Sequence, residues 1–582
     1  MRRETLRFPI VRIVAGISCL FFAGAAWLVG PHSAADFRVE AQTAKPLVAS
    51  ASGSQIGSQA GSQAGSQAKV QPVSAGAPGR LTPAPNLVPA PGTELYTAKR
   101  GDAIPTVARH YLGRTLYLTS SELAEAIRAT NHLAENSNIL KANEQLIIPG
   151  ILSSPITEKT IPVAKDFEVR AVYLTGVMAA SDHGLRIIKH WREVGGNAVV
   201  FDIKDSDGSV NIPFEHPLVG KHNVYIHDVP KFVHFLHQQN MHAIARIAIF
   251  RDEALVKAHP ELAVQSRQNH AAWRENGKLV WTDPSNPAVQ DYDIALAKHV
   301  AQLGVDEIQF DYVRFPAEGD QKDAMFVFQK DRPEAGNKQE ACGDGRLGRP
   351  AKAEPSGTST SQEAKRGGAT ANAEAKQSTC KAPHGIERSD VITAFLKKAY
   401  SELHPTGVLL SLDVFGVMAW QRSVDLSHTG QNIVQMARYC DVLSPMIYPS
   451  HFFGMDGIAH PGDEPVHFIG ESMDRFELIT HPDGNKTSGV VIRPWLQAFH
   501  WRTKTYSPEY IKIQVETAKA RGGIGFLFWN AANDYSKPFT AMPEMKEANL
   551  KEGSKENPKY FRGDELPTAI RATLGSPTTP SN

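Results

Sequence analysis

The stretch that decides the fold of this chain reads Asp306-Glu307-Ile308-Gln309-Phe310-Asp311-Tyr312-Val313-Arg314-Phe315-Pro316. It is an apolar strand that ends in a carboxylate, an aromatic ring and a guanidinium, and Pro316 stops it. Because strand side chains alternate, Asp311 is predicted to face away from Phe310 and Tyr312. In a parallel barrel, polar side chains at the C-terminal ends of strands line the active site. The alternative is that Asp311 only caps the next loop or pairs locally with Arg314.

Seven further apolar runs of the same kind occur in the second part of the chain, each followed by a helical stretch or a long loop. The eight runs cover residues 169–176, 197–205, 241–250, 305–312, 407–416, 441–449, 489–499 and 522–530. Helices are predicted between them at residues 183–194, 227–239, 289–303, 389–403 and 508–521. Near-continuous apolar strands separated by helices indicate a parallel sheet covered on both faces, and eight strands close a barrel. We therefore predict an α/β fold, a (β/α)8 TIM barrel over residues 165–545.

Three stretches contain too few large apolar residues to bury a core. Residues 31–93 contain four Gly-Ser-Gln units followed by an Ala/Pro-rich end, which predicts a disordered linker. Residues 334–383 are rich in Gly, Ala, Ser, Lys and Glu, which predicts a disordered insertion after the fourth strand. Residues 546–582 are predicted to form a C-terminal tail.

The N-terminus has the composition of an export signal. Four arginines precede an apolar run of 18 residues, at positions 13–30. This run could just span a bilayer, and no clean small-x-small cleavage site follows it. Residues 1–30 are therefore predicted to be a membrane anchor or, alternatively, a cleaved signal peptide. Either form predicts a mature chain on the periplasmic or extracellular face of the cytoplasmic membrane, or a secreted protein if the leader is removed.

Composition excludes several function classes. The 62 basic and 61 acidic residues leave a net charge of +1, so nothing favours nucleic acid as a partner. The four cysteines lack metal-binding spacing, and no His-Glu-x-x-His motif occurs, so no metal or other cofactor is predicted. Cys342 and Cys380 bracket the predicted insertion. They could form a disulfide outside the cytoplasm or remain two thiols.

Residues 94–150 predict a small α+β domain. A short strand, a helix over 105–111, a helix over 121–130 and a closing strand over 145–149 follow each other, with Asp102 expected to cap the first helix. The segments 95–111, 127–131 and 145–149 resemble those of a LysM module, although Pro105 departs from the pattern. The resemblance implies binding of N-acetylglucosamine-containing polymers, most often peptidoglycan. The alternative is a folded spacer that has lost binding.

Carboxylates follow three of the predicted barrel strands. Hydrolysis of a glycosidic bond needs one protonated carboxyl and one ionised carboxylate, and a pair on adjacent strands meets that need. Asp311 is the predicted nucleophile or base, since Arg314 nearby would favour its ionised form. Asp413 is the predicted acid, because apolar neighbours raise the pKa of a carboxyl. The two roles could be exchanged, and Asp202 and Asp205 are second choices.

Aromatic side chains interleave with these carboxylates at the strand ends. Flat rings beside carboxylates and amides suit a sugar, which offers a C–H face for stacking and hydroxyls at its edges. We therefore predict a polysaccharide substrate. The side chains predicted to contact it are Asp202, Lys204, Asp205, Tyr173, Tyr312, Arg314, Tyr448, His451, Arg493, Trp495, Trp529 and Asn530.

The same segments resemble a bacterial family of predicted glycosyl hydrolases with a barrel distantly like that of the alpha-amylase clan. The resemblance is carried by residues 173–175, 197–205, 306–316, 444–451, 493–497 and 525–530. In alpha-amylase-like barrels the nucleophile is an Asp that ends strand four, and the acid is a Glu on strand five. The resemblance therefore implies the nucleophile role for Asp311. Strand five of this chain has Asp413 in place of that Glu, which leaves the acid open.

Two functions follow as hypotheses. The first is an exported, membrane-tethered glycoside hydrolase that acts on a cell-envelope or extracellular polysaccharide and is held near it by residues 94–150. The second is a non-catalytic glycan-binding or scaffold protein of the envelope, whose barrel no longer performs chemistry.

Overall fold

The computed structural model describes residues 89–329, 385–482 and 489–553, with side chains described through residue 545. The predicted leader, nearly all of the linker, the insertion with Cys342 and Cys380, and most of the C-terminal tail lie outside these ranges. Within them, no helix combines the length and the apolar character needed to cross a bilayer.

The N-terminal unit has the predicted order of strand, helix, helix and strand. Its elements are β1 Thr93–Thr97, α1 Ile104–Tyr111, α2 Ser120–Thr130 and β2 Gln145–Pro149. The two strands pair antiparallel, and buried Ile104, Leu123 and Ile127 pack beneath them. The predicted cap is wrong, because Ala103 precedes α1 and Asp102 bonds elsewhere. Its carboxylate accepts the Tyr96 hydroxyl at 2.5 Å and the Lys99 amide at 2.7 Å.

A closed parallel barrel follows. The strands of this unit are β3 Val169–Leu174, β4 Ala198–Lys204, β5 His242–Ala248, β6 Gln265–Ser266, β7 Arg274–Glu275, β8 Leu279–Val280, β9 Glu307–Asp311, β10 Ala324–Met325, β11 Leu409–Phe415, β12 Val442–Ile447, β13 Val491–Ile492, β14 Trp495–Gln497 and β15 Gly525–Trp529. The barrel order is β3, β4, β5, β9, β11, β12, then β13 with β14 as one interrupted strand, then β15, which pairs with β3. Each of the eight predicted runs supplies one barrel position, so the TIM barrel is confirmed.

Helices cover the outside of the barrel. They are α3 Gly176–Ala179, α4 Asp182–Glu193, α5 Val229–Gln238, α6 Glu253–Ala258, α7 Pro287–Ala301, α8 Arg388–Leu403, α9 Ser423–Thr429, α10 Ile433–Met436, α11 Pro465–Thr480, α12 Pro508–Ala520 and α13 Ser536–Gly553. The five predicted helices correspond to α4, α5, α7, α8 and α12. Helix α11 was not predicted, although its buried Phe468, Ile469, Met473 and Phe476 have helical spacing. Helix α13 extends into the predicted tail.

The alternation predicted for β9 holds as far as Asp311. Phe310 faces the helices and stacks on Phe395 of α8 at 6.1 Å, whereas Asp311 faces the barrel interior. The alternation then breaks, because Tyr312 has a φ of 55° and turns the chain out of the strand. The Tyr312 ring consequently lies at the barrel mouth, 5.8 Å from that of Trp281.

The N-terminal unit packs against the barrel helices α4 and α5. The buried ammonium of Lys231 donates to the backbone oxygen of Leu112 at 3.0 Å. Lys189 pairs with Glu122 at 3.3 Å, and Thr119 bonds to Asp182. These contacts lie on helices that cover the outside of the barrel.

Candidate active site

Asp311 and Asp413 occupy neighbouring positions at the C-terminal ends of β9 and β11. Leu412 pairs with Phe310 in the ladder, so the next residue on each strand lies alongside the other. Both side chains reach the barrel interior, where 7% of Asp311 and 1% of Asp413 are exposed. Neighbouring strands are ~4.8 Å apart, so the two carboxyls share one small volume.

The side chain of Asp311 is bonded to a guanidinium from the neighbouring strand. Its Oδ2 accepts from Nη2 of Arg246 at 2.6 Å and from Nε of the same side chain at 3.2 Å. Its Oδ1 accepts the backbone amide of Tyr312 at 2.6 Å. An ionised carboxylate fixed by several donors is suited to act as a nucleophile.

The two oxygens of Asp413 have different surroundings. Oδ1 accepts from Nε2 of Gln309 at 2.9 Å and from Nε1 of Trp495 at 2.6 Å. Oδ2 is buried and has no hydrogen-bond partner among the residues that the structure describes. Burial, followed by the charge of Asp311, raises the pKa of Asp413 well above its usual range. Since both donors occupy Oδ1, the proton of the neutral acid belongs on Oδ2, which is the arrangement of a general acid.

Asp202 completes a cluster around Arg246. Its Oδ1 accepts from Nη1 of Arg246 at 2.5 Å, and its Oδ2 accepts the Tyr173 hydroxyl at 2.5 Å. Burial raises the pKa of Asp202 to about 8, despite the opposing effect of Arg246. Burial also raises the pKa of Asp205, which is hydrogen-bonded to Asp202. The single guanidinium of Arg246 therefore pairs with more than one carboxyl, so some of these carboxyls remain protonated near neutral pH.

Aromatic rings surround this cluster. Trp529 stacks on Tyr173 with ring centroids 4.1 Å apart, and Trp495 meets Trp529 edge-on at 5.7 Å. The Arg246 guanidinium lies 5.4 Å from the Trp529 ring. Tyr448 follows β12, the strand next to β11, and burial, then the charges of Asp413 and Asp311, raise the pKa of its hydroxyl.

Two predicted substrate contacts are placed elsewhere. Lys204 lies after a register shift in β4 and is fully buried. Its ammonium pairs with Asp252 at 3.0 Å and with Asp293 at 2.7 Å. Arg493 lies deeper in the barrel, also fully buried, and pairs with Glu307 at 2.8 Å. Both cations neutralise protein carboxylates, which corrects the expectation that they contact a sugar.

Arg314 and Asn530 also have different surroundings from those predicted. The guanidinium of Arg314 lies between the rings of Trp281 and Phe415, at 4.4 and 4.6 Å from their centroids. The cation bonded to Asp311 is thus Arg246 rather than Arg314. Asn530 donates to the backbone oxygens of Ala498 and Asp534, and so it holds two loops together.

The sequence analysis missed Arg246 and Gln309, which bond to the two predicted catalytic carboxyls. Arg246 is the one permanent cation in a strand that reads His-Ala-Ile-Ala-Arg-Ile-Ala. A charged residue in an otherwise apolar strand is rarely buried unless it is paired, and this signal could have identified it. Gln309 could have been identified by strand alternation, because it lies two positions before Asp311 and therefore faces the same side of the strand. Within the described ranges, no three His, Cys, Asp or Glu side chains are arranged to hold a metal ion.

No curated protein matches the chain. Many solved structures resemble it, and they include the following three. A hypothetical protein from Ruminiclostridium thermocellum ATCC 27405 is 30% identical, with a TM-score of 0.30, over 42% of this chain and 97% of that one. The PgaB (BpsB) glycoside hydrolase domain from Bordetella bronchiseptica is 12% identical, with a TM-score of 0.40, over 66% and 97%. The spore cortex-lytic enzyme SleL from Bacillus megaterium QM B1551 is 11% identical, with a TM-score of 0.33, over 77% and 85%.

A family model described as a putative glycosyl hydrolase domain matches residues 171–535. The match spans the barrel from its first strand to the loop after its last, and it contains both Asp311 and Asp413. The chain therefore belongs to the family of putative glycosyl hydrolase domains, and its enzyme class is that of the glycoside hydrolases.

Proposed function

We propose that this chain is an exported, membrane-tethered glycoside hydrolase that cleaves a cell-envelope or extracellular polysaccharide, with Asp413 as the acid and Asp311 as the nucleophile. The observation that carries the proposal is the arrangement at Asp413. Two donors bond to Oδ1, Oδ2 has no partner among the described residues, and Asp311, paired with Arg246, lies on the next strand. A protonated and an ionised carboxyl side by side are what glycoside hydrolysis requires.

The reaction would proceed in two steps. Asp413 transfers its proton from Oδ2 to the leaving glycosidic oxygen, while Asp311 attacks the anomeric carbon and the old C–O bond breaks. Asp413, now ionised, then takes a proton from water, which displaces the Asp311 ester and restores both groups. Adjacent strand positions, at ~4.8 Å, favour this retaining route, since carboxyls of retaining enzymes are ~5–5.5 Å apart and those of inverting enzymes ~6.5–9.5 Å.

Arg246 has a defined part in this scheme. Because it also donates to Asp202, the guanidinium keeps a hydrogen-bond partner when Asp311 becomes a neutral ester. Its position therefore does not depend on the charge of the nucleophile. Fixed charges that need no rearrangement during the reaction are the most effective kind of electrostatic stabilisation.

The N-terminal part of the chain supports the location and the substrate class. The basic and apolar leader fits an anchor, and the Gly-Ser-Gln linker fits a tether that lets the barrel reach away from the membrane. The LysM-like unit would bind an N-acetylglucosamine-containing glycan such as peptidoglycan beside the barrel. Tethering of this kind raises the effective substrate concentration without a new contact.

The test measures reducing ends released by the full-length protein from peptidoglycan and from common exopolysaccharides. The variant Asp311→Asn is expected to bind these polymers and fold normally but to lose turnover. Asp291→Asn, which changes an exposed carboxylate on α7, serves as the control and is expected to retain full turnover. Equal release by wild type and Asp311→Asn would reject the assignment.

The burial of the pair favours a second candidate function, that of a non-catalytic glycan-binding protein of the envelope. With 1% of Asp413 exposed, a sugar has little direct access to its free oxygen. Under this alternative, no polysaccharide is cleaved by wild type, yet glycans are retained by the N-terminal unit and by the barrel.

A further inference from the structure

We propose that Tyr448, His451, Trp501 and Phe453 form an aromatic row that binds a polysaccharide next to the carboxyl pair, and that exposed Arg502 at its outer end selects a glycan carrying acidic groups. This inference rests on the proposed function, because it names the class of substrate for the same site. The acidic group is a carboxylate, sulfate or phosphate on the sugar.

The row leads outward from the proposed catalytic groups. It begins at Tyr448, which directly follows β12, the strand that pairs with the Asp413 strand β11. The ring of His451 follows at 5.4 Å from that of Tyr448, and Trp501 lies 4.6 Å from His451. Phe453 meets Trp501 edge-on at 5.7 Å. Both Trp501 and Phe453 are half-buried.

Gln497 fixes the two loops that carry these rings. Its Oε1 accepts the backbone amide of Ser450 at 3.2 Å. Its Nε2 donates to the backbone oxygens of Phe499 at 3.0 Å and Trp501 at 3.4 Å. Gln497 is fully buried on β14, so one rigid amide sets the spacing of both loops. A preformed row of rings binds a sugar chain with little loss of side-chain freedom.

Arg502 is placed over the end of the row at a conformational cost. Its guanidinium lies 4.1 Å from the Phe453 centroid and 4.7 Å from the Trp501 centroid. Its backbone has a φ of 48°, a left-handed conformation that disfavours residues other than Gly, Asn and Asp. The side chain is exposed, and it forms no salt bridge with any described residue. A fixed, stacked guanidinium is well suited to bind an anion from solvent.

Neither neighbour of Arg502 can replace it as the anion contact. Burial, followed by the charge of Arg502, lowers the pKa of His451 to about 4, so that ring is neutral under most conditions. Lys504 lies 3.5 Å from Asp463, which offsets its charge. The positive charge at this end of the row therefore belongs to Arg502, and a neutral glycan would leave it without a counter-ion.

The experiment measures binding in the full-length Asp311→Asn background, so that turnover does not interfere. The probes are polygalacturonate, hyaluronan, chondroitin sulfate and a polysaccharide that bears phosphate monoesters. Each is compared with its neutral form, which is made by carboxyl reduction, by carboxyl reduction together with desulfation for chondroitin sulfate, or by dephosphorylation. The N-terminal unit is identical in all variants, so differences between them come from the barrel. At least one acidic polymer is expected to bind, and Arg502→Gln is expected to weaken it at least tenfold. Which polymer binds identifies the acidic group.

Lys504→Gln is the matched control, since it removes an equal charge two residues away. It is expected to change the dissociation constant less than twofold, and Trp501→Ala is expected to weaken the acidic polymer and its neutral form alike. Equal losses with Arg502→Gln and Lys504→Gln, equal affinity for the neutral forms, or no binding of any acidic probe would overturn the inference. A protein that binds in this way but releases no reducing ends as wild type would sink the proposed hydrolysis and leave the acidic subsite standing.

Discussion

Trp495 holds Asp413 from a strand that is not its neighbour. The indole Nε1 lies 2.6 Å from Oδ1 of Asp413, although β12 separates their strands and 82 positions separate them in the chain. Gln309 bonds to the same oxygen, so in the part of the chain that the structure describes Asp413 has one oxygen with two donors and one with none. This asymmetry gives the first two predictions.

Asp413→Asn should abolish protonation of the leaving group while leaving nucleophilic attack possible. We expect a loss of about 10²–10⁴-fold in kcat/KM on a natural polysaccharide, the usual contribution of a general acid. An aryl glycoside whose leaving group needs no proton should lose far less in its glycosylation step. Asp311→Asn should reduce kcat/KM equally on both substrates. A comparable loss on both substrates for Asp413→Asn would remove it from the acid role.

Trp495→Phe should shift the alkaline limb of the kcat/KM profile to higher pH. The indole donor favours the ionised form of Asp413, so removing it raises the pKa of a carboxyl that burial has already raised. Because the acid must be protonated, activity persists to higher pH. Trp529→Phe, which removes a ring stacked on Tyr173 instead, should not move this limb. A shift to lower pH with Trp495→Phe would contradict the assigned hydrogen bond.

Arg246→Gln should destabilise the barrel in a pH-dependent manner. It leaves Asp202 and Asp311 buried without their cation, and breaking a buried pair costs about 3–5 kcal/mol. The cost should be larger at pH 8 than at pH 5, since Asp202, whose pKa burial raises to about 8, is protonated at pH 5 and then needs no counter-charge. Urea unfolding at the two pH values measures it. Arg521→Gln, which breaks an exposed pair, should cost less than about 1 kcal/mol at either pH.

Lys204→Met should reduce stability without affecting substrate binding. The ammonium is fully buried against Asp252 and Asp293, so its removal should cost about 3–5 kcal/mol in the free energy of unfolding. Adding Asp252→Asn and Asp293→Asn should recover part of this loss, because the orphaned charges are removed. KM measured on the folded fraction should remain within twofold of wild type. A large rise in KM would return Lys204 to the substrate site.

His237 should make stability fall in alkaline solution. Burial lowers the pKa of His237, but a hydrogen bond to Asp306 at 3.0 Å and the carboxylate of Glu158 at 3.4 Å outweigh burial and raise it to about 9. A raised histidine pKa stabilises the fold fully below the ordinary value of 6.5, and this contribution is lost as pH rises through 9. The difference in unfolding free energy between wild type and His237→Gln should reach up to about 3 kcal/mol near pH 6. It should shrink toward pH 10, and a difference that grows with pH would exclude a charged His237.

Much of the fold could be predicted because its signals are local. The eight apolar runs and five of the helices appear in windows of about ten residues, where the spacing of side chains reflects strand or helix geometry. Likewise, Asp311 and Asp413 could be paired from the order of strands four and five alone. Helix α11 carried the same kind of signal, and its neighbouring loops obscured it.

The partners of charged residues could not be predicted in this way. Lys204, Arg314 and Arg493 were expected at the rim because they follow or end apolar runs. Their positions depend on a register shift in β4, on the turn at Tyr312, and on how deep β13 enters the barrel. These are properties of the assembled sheet.

The amino-acid sequence by itself determined the barrel, the N-terminal α+β unit, the family and the placement of Asp311 and Asp413 on adjacent strands. Only the tertiary structure decided that Arg246 is the cation of Asp311, and that Trp495 and Gln309 leave one oxygen of Asp413 free. The physical reason is the separation along the chain of the residues that determine each property. Periodicity and strand order depend on neighbouring residues, whereas Glu307 contacts Arg493 across 186 positions because a closed barrel brings distant strands together.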